Sequence, residues 1–166
     1  KFVNPKNDIA FKKIFGSEDK TNILISFLNA VLGLTDDKEI QTVELLNPYQ
    51  TPKLASLKST ILDIKATDKR NISYIIEMQI AYVTGLKKRF TYYTTKAYTS
   101  QIERGEDYPK LNQVIFIGIL DFTLFEHNDH YLSRHQILDT KTQRQEFEDI
   151  EMTFIELPKF QKGKEG

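Results

Sequence analysis

The chain has 166 residues, with 23 basic and 23 acidic side chains, 11 phenylalanines, 8 tyrosines and no cysteine. That length fits one domain, expected over residues 1–160, and is enough to bury roughly 68–70 per cent of the unfolded surface. The missing cysteines exclude disulfides, zinc ribbons and thiol nucleophiles, zero net charge argues against a general polyanion binder, and no apolar run suits a membrane span or a signal peptide, so a reducing cytoplasm is the expected setting.

Asn4-Pro5 opens a turn, and Asn7 or Asp8 can cap a first helix with Phe11, Ile14 and Phe15 on one side and Gly16 at its end. A second helix is predicted from Thr21 to Leu32, because Ile23, Leu24, Phe27, Leu28 and Val31 recur at helical spacing and Gly33 stops it. Ile40 to Leu46 reads as a strand closed by Asn47-Pro48, followed by a loop through Leu57.

Two β-rich segments come next, Lys58 to Ala66 and Ile72 to Ala81, separated by a polar break at Thr67 to Asn71. Strand alternation puts Leu62, Ile64 and Ala66 on one face with Tyr74, Ile76 and Met78. Asp63 and Lys65 then share the other face with Ile75, Glu77 and Gln79. That convergence needs an odd-numbered turn, such as Lys69-Arg70-Asn71 between a paired Asp68 and Ile72; an even turn would slip the register and part the acids. Two carboxylates and an amide on one half-buried face repel unless a cation sits between them, and hard oxygen ligands suit Mg²⁺ or Mn²⁺. On spacing alone, an ordinary solvated face with Asp63 paired to Lys65 or a helix lysine explains the same residues.

Thr84 can cap a long helix from Gly85 to Arg104, ended by Gly105, with Leu86, Phe90, Tyr93 and Ala97 as its apolar stripe and Arg89, Lys96 and Ser100 at the border. Val114 to Leu120 is a nearly unbroken apolar run, as in a central strand covered on both faces; strand, helix, strand in this order makes parallel pairing plausible. His127, Asp129, His130 and His135 read as a polar surface cluster rather than a second metal site. Tyr131 to Leu138 and Met152 to Leu157 are further strands, Asp139 to Asp149 a loop or short helix, and Gln161 to Gly166 a linker. Charge is uneven along this path: bases dominate from Lys53 to Arg104 and acids from Asp121 to Glu151, so a basic face near the acidic pair can hold a phosphate backbone.

Leu62-Asp63-Ile64-Lys65 followed by Ile76-Glu77-Met78-Gln79 resembles the core of the PD-(D/E)XK nuclease superfamily, closest to its recombination-promoting nuclease and transposase branch. The branch's N-terminal Asp-x-x-Phe-Lys-x-x-Phe-Gly is matched by Asp8 to Gly16, its helix Arg and Tyr-Tyr pair by Arg89, Tyr92 and Tyr93, and its Gly-x-x-Tyr by Gly105 to Tyr108. The resemblance implies an α/β restriction-endonuclease-like core: a mixed sheet flanked by helices, with two N-terminal helices, a hairpin carrying the site, a long helix, a buried central strand and C-terminal strands. It implies a Mg²⁺- or Mn²⁺-dependent DNA endonuclease linked to recombination or mobile elements, with the alternative of an inactive nuclease fold that holds DNA or a protein, and it leaves room for a homo-oligomer. Asp63 and Glu77 would hold metal with the Met78 carbonyl, and Gln79 would stand where much of the superfamily has lysine. Asp8, Lys65, Arg89, Tyr93 and Gln101 would be accessory, and Lys65, Lys96 or Arg89 would supply the positive charge that Gln79 lacks. The family's C-terminal helical region is expected to be missing.

Overall fold

The computed structural model describes residues 21–45, 64–79 and 81–160. Its elements are α1 (Thr21–Leu32), β1 (Ile40–Leu45), β2 (Ile64–Asp68), β3 (Ser73–Gln79), α2 (Leu86–Thr99), β4 (Val114–Leu120), β5 (Leu132–Ile137) and β6 (Phe147–Glu156). The strands form one six-stranded sheet in the order β1-β2-β3-β4-β6-β5. Its centre, β3-β4-β6, is parallel, and both flanks are antiparallel. This is the mixed α/β architecture of a restriction-endonuclease-like fold. Of the two N-terminal helices expected, the described residues hold one; the other falls on residues outside them.

α1 buries Leu24, Leu28 and Leu32, a four-residue repeat that lays one stripe on the sheet. Ile64, Ala66, Tyr74, Ile76, Ile117, Ile119 and Ile155 meet it there. Asn29 fixes the approach, because its amide donates to the Ile40 carbonyl (3.2 Å) and its oxygen accepts the Ile40 N–H (2.8 Å). α2 covers the opposite face through Leu86 and Phe90, which pack with Phe116, Leu120 and Phe154.

The hairpin between β2 and β3 turns as its parity demands. Asp68 and Ile72 bracket Lys69-Arg70-Asn71, with the Asp68 N–H donating to the Ile72 carbonyl (3.3 Å) and the Asn71 N–H to the Asp68 carbonyl (3.0 Å). Asn71 takes the left-handed conformation (φ 65°) that closes three-residue hairpins. Asp68 belongs to the strand rather than to the polar break. Its buried carboxylate accepts the Tyr74 hydroxyl (3.0 Å), the Ile72 N–H (3.0 Å) and the Arg70 guanidinium (2.7 Å). Burial, reinforced by Asp68, pushes the Tyr74 phenol well above its usual range.

Three boundaries differ from expectation. α2 starts after Gly85, which takes a left-handed φ of 81°, and no Thr84 side chain caps it. It ends at Thr99 rather than Arg104: the Ser100 N–H still reaches the Lys96 carbonyl (3.0 Å), after which the ladder tightens to a three-residue bond from the Gln101 N–H to the Tyr98 carbonyl (3.3 Å). β6 begins at Phe147, not Met152, because Phe147 pairs with Ile137 across the hairpin from β5. The Asp139–Asp149 loop is shortened accordingly.

Gly118 sits between Glu77 on β3 and Phe154 on β6. A Cβ there would lie 2.7 Å from Phe154 Cδ1 and 3.2 Å from Phe116 Cε1. Phe154 cannot yield, since its ring packs against Phe90 (5.4 Å), Phe116 (5.9 Å) and Phe125 (5.3 Å). Gly118→Ala is therefore expected to cost about 1–3 kcal/mol by overpacking. Thermal melting checks this, at about 2–4 °C lost per kcal/mol for a chain of this size.

Candidate active site

Partners across a sheet point to the same side, so Ile75, Glu77 and Gln79 share a face with Phe116, Gly118 and Leu120 and with Met152, Phe154 and Glu156. Glu77 thus lies on the face that α2 covers, near the C-terminal ends of the parallel strands. It is 1% exposed and Gln79 2%, so the half-solvated face expected for this pair is in fact closed. The closure comes from α2.

A buried carboxylate survives only with compensating donors. Beside Glu77 stand a donor and a counter-charge: Gln79 Nε2 donates to Oε1 (2.5 Å), and Arg89 Nη2 forms an ion pair with the same oxygen at 3.1 Å. Arg89 comes from the first turn of α2, with a side chain 12% exposed, and its guanidinium sits 5.3 Å from the Tyr93 ring centroid. Its Nε, Nη1 and Nη2 are all buried and make no hydrogen bond of good geometry among the described residues. An arginine with unmade bonds can take another oxyanion.

Arg89 and Tyr93 are therefore brought to Glu77 and Gln79. Lys65 points to the same face, since it pairs with Ile75, and its side chain is exposed. Gln101 is not at this cluster. Its amide clasps both backbone groups of Asn112 (2.8 and 2.9 Å), just before β4, whereas Glu77 lies level with Gly118 near that strand's other end. Asp8 and Asp63 lie outside the described residues. Among the described residues no three of His, Asp and Glu come together in a metal-binding group. His135 instead stacks on Phe125 (4.6 Å), where burial, with Lys87 nearby, lowers its pKa.

The sequence reading missed two things here. Sequence reasoning puts Arg89 at the border of the helix stripe with no acid partner, although a β-strand acid followed by a helix arginine is a pairing that the crossover permits. The second is a buried ion pair at the same end of the sheet. Glu156, 0% exposed, accepts the Leu124 N–H (2.6 Å) and the Phe125 N–H (3.1 Å) and pairs with Lys159 Nζ (2.6 Å). Lys159 also donates to the Phe125 carbonyl (2.6 Å) and to that of Asn128. The pair fixes the loop that follows β4.

A mixed sheet with helices on both faces and a buried acid on β3 is the arrangement of a restriction-endonuclease-like α/β domain. The chain belongs to the PD-(D/E)XK nuclease family transposases, whose family model matches residues 5–166. No curated protein and no solved structure gives a significant match. No helix among the described residues is long and apolar enough to cross a membrane.

Proposed function

We propose that this protein is a metal-dependent DNA endonuclease acting in recombination or in the movement of genetic elements. The observation that carries the proposal is Glu77, a buried acid at the centre of the sheet whose counter-charge comes from a different element. Position 63 belongs to the same reading. Ile64 pairs with Ile76, so one further step of that antiparallel register would set Asp63 across from Glu77 on the α2 side.

The donor set suits a hard divalent cation. Gln79 directs its carbonyl toward β4, where it accepts the Asp121 N–H (3.0 Å). Alternation then turns the Met78 carbonyl toward β2, the side from which Asp63 would come. Asp63, Glu77 and the Met78 carbonyl would hold Mg²⁺ or Mn²⁺. Such an ion lowers the pKa of a bound water and neutralises charge developing on a phosphate. Arg89 supplies the fixed positive charge that a lysine at position 79 would bring, while the Gln79 amide orients the Glu77 carboxylate.

A second reading, an inactive nuclease fold that only holds DNA, is favoured by one observation: the Glu77 oxygen is already engaged by Gln79 and Arg89. Plasmid incubated with purified protein decides between them. Nicking with Mg²⁺ or Mn²⁺, absent in EDTA and absent for Asp63→Asn, is the expected result, and calorimetry should show divalent-ion binding that the same variant loses. Intact plasmid with every divalent ion tried would rule out the endonuclease.

A further inference from the structure

We infer that the β3-facing flank of α2 is a track for an unpaired nucleic-acid strand, with Lys88 and Lys96 on its phosphates and Tyr92 stacked on a base. α2 carries four basic residues, Lys87, Lys88, Arg89 and Lys96, and no acid in LKKRFTYYTTKAYT, within a chain of zero net charge. Lys88, Tyr92 and Lys96 follow one another at four-residue intervals, forming a ridge about 12 Å long at 1.5 Å per residue. All three are exposed, Tyr92 by 55%. Neither lysine makes an ion pair among the described residues.

The ridge leads to the acid. Lys96 Nζ lies 6.0 Å from the Tyr92 ring, Tyr92 lies 5.9 Å from Tyr93, and Tyr93 holds the guanidinium that reaches Glu77. The other flank of the helix differs. There Lys87 covers Phe125 (5.1 Å), and Tyr98 faces Asp149 of β6, whose charge helps raise the Tyr98 pKa after burial. A polyanion is attracted to the first flank, whereas on the second Lys87 is offset by Asp149.

An exposed aromatic ring beside unpaired lysines is the combination that holds single strands, because every base offers a π-face and the lysines follow the backbone. In a duplex the bases stack on each other and leave Tyr92 nothing to cover. The inference rests on the nuclease reading for what happens at Glu77, but it can be tested without cleavage.

Fluorescence anisotropy in EDTA, with the full chain and labelled oligonucleotides, separates the two. The single strand is expected to bind more tightly than the blunt duplex. Tyr92→Ala should weaken the single strand about tenfold or more, within the range for loss of one stacked base, and leave the duplex unchanged; Tyr92→Phe should bind as the parent. Lys88→Gln with Lys96→Gln should lower the slope of log affinity against log salt by about 1.4, at about 0.7 per single-strand contact. Lys141→Gln, in the β5–β6 loop, is the control and should change nothing. Equal affinity for both oligonucleotides, parental binding by Tyr92→Ala, or an unchanged salt slope overturns the inference. Single-strand binding with this mutational pattern but no nicking in Mg²⁺ leaves it standing and removes the nuclease reading alone.

Discussion

Glu77→Gln is expected to lower metal-dependent nicking by roughly three orders of magnitude, equivalent to about 4 kcal/mol of barrier at 1.36 kcal/mol per tenfold. The amide keeps the shape of the carboxylate and still offers an oxygen to Gln79 and Arg89, so the packing around β3 changes little. What it loses is charge, and with it a hard anionic ligand. Arg89, 12% exposed, then keeps its charge without a counter-ion, which destabilises the fold independently of chemistry. A double variant, Glu77→Gln with Arg89→Met, separates the effects. It should melt above Glu77→Gln alone and remain as inactive. Parental nicking rates in Glu77→Gln would exclude this acid from the reaction.

The largest loss of stability is expected for Glu156→Ala, at about 3–5 kcal/mol, the usual penalty for breaking a buried ion pair from one side. Lys159 would be left with its ammonium against the Phe125 and Asn128 carbonyls and no counter-ion, and the Leu124 and Phe125 N–H groups would lose their acceptor. Adding Lys159→Met should restore part of that loss by removing the stranded charge, though not the two N–H bonds. Urea unfolding midpoints at constant slope measure both variants. If Glu156→Ala unfolds at the parental midpoint, the pair does not hold the loop after β4.

The hairpin was legible from the amino acids because Ile64, Ala66, Tyr74 and Ile76 fall at every second position. They could reach one core only if Lys65, Ile75, Glu77 and Gln79 turned away, and that required the odd turn. α1 was equally plain, since Leu24, Leu28 and Gly33 set both its stripe and its end. The end of α2 was not, because a last turn that tightens to a three-residue bond leaves no periodic mark. Burial of Glu77 leaves no local mark either: Arg89 reaches it from α2, and where that helix lies is a tertiary matter. Gly118 gave no sign at all, since the ring that fills its place, Phe154, comes from two strands further along the chain.

The strand bearing Glu77 pairs in parallel with β4, and the helix joining them is the one that brings Arg89. Parallel pairing waits for the crossover to be made, and such non-local contacts close late in folding. The acid and its guanidinium partner therefore meet only when the centre of the sheet is assembled. A chain that has made only the hairpin of β2 and β3 carries the acid with no arginine over it.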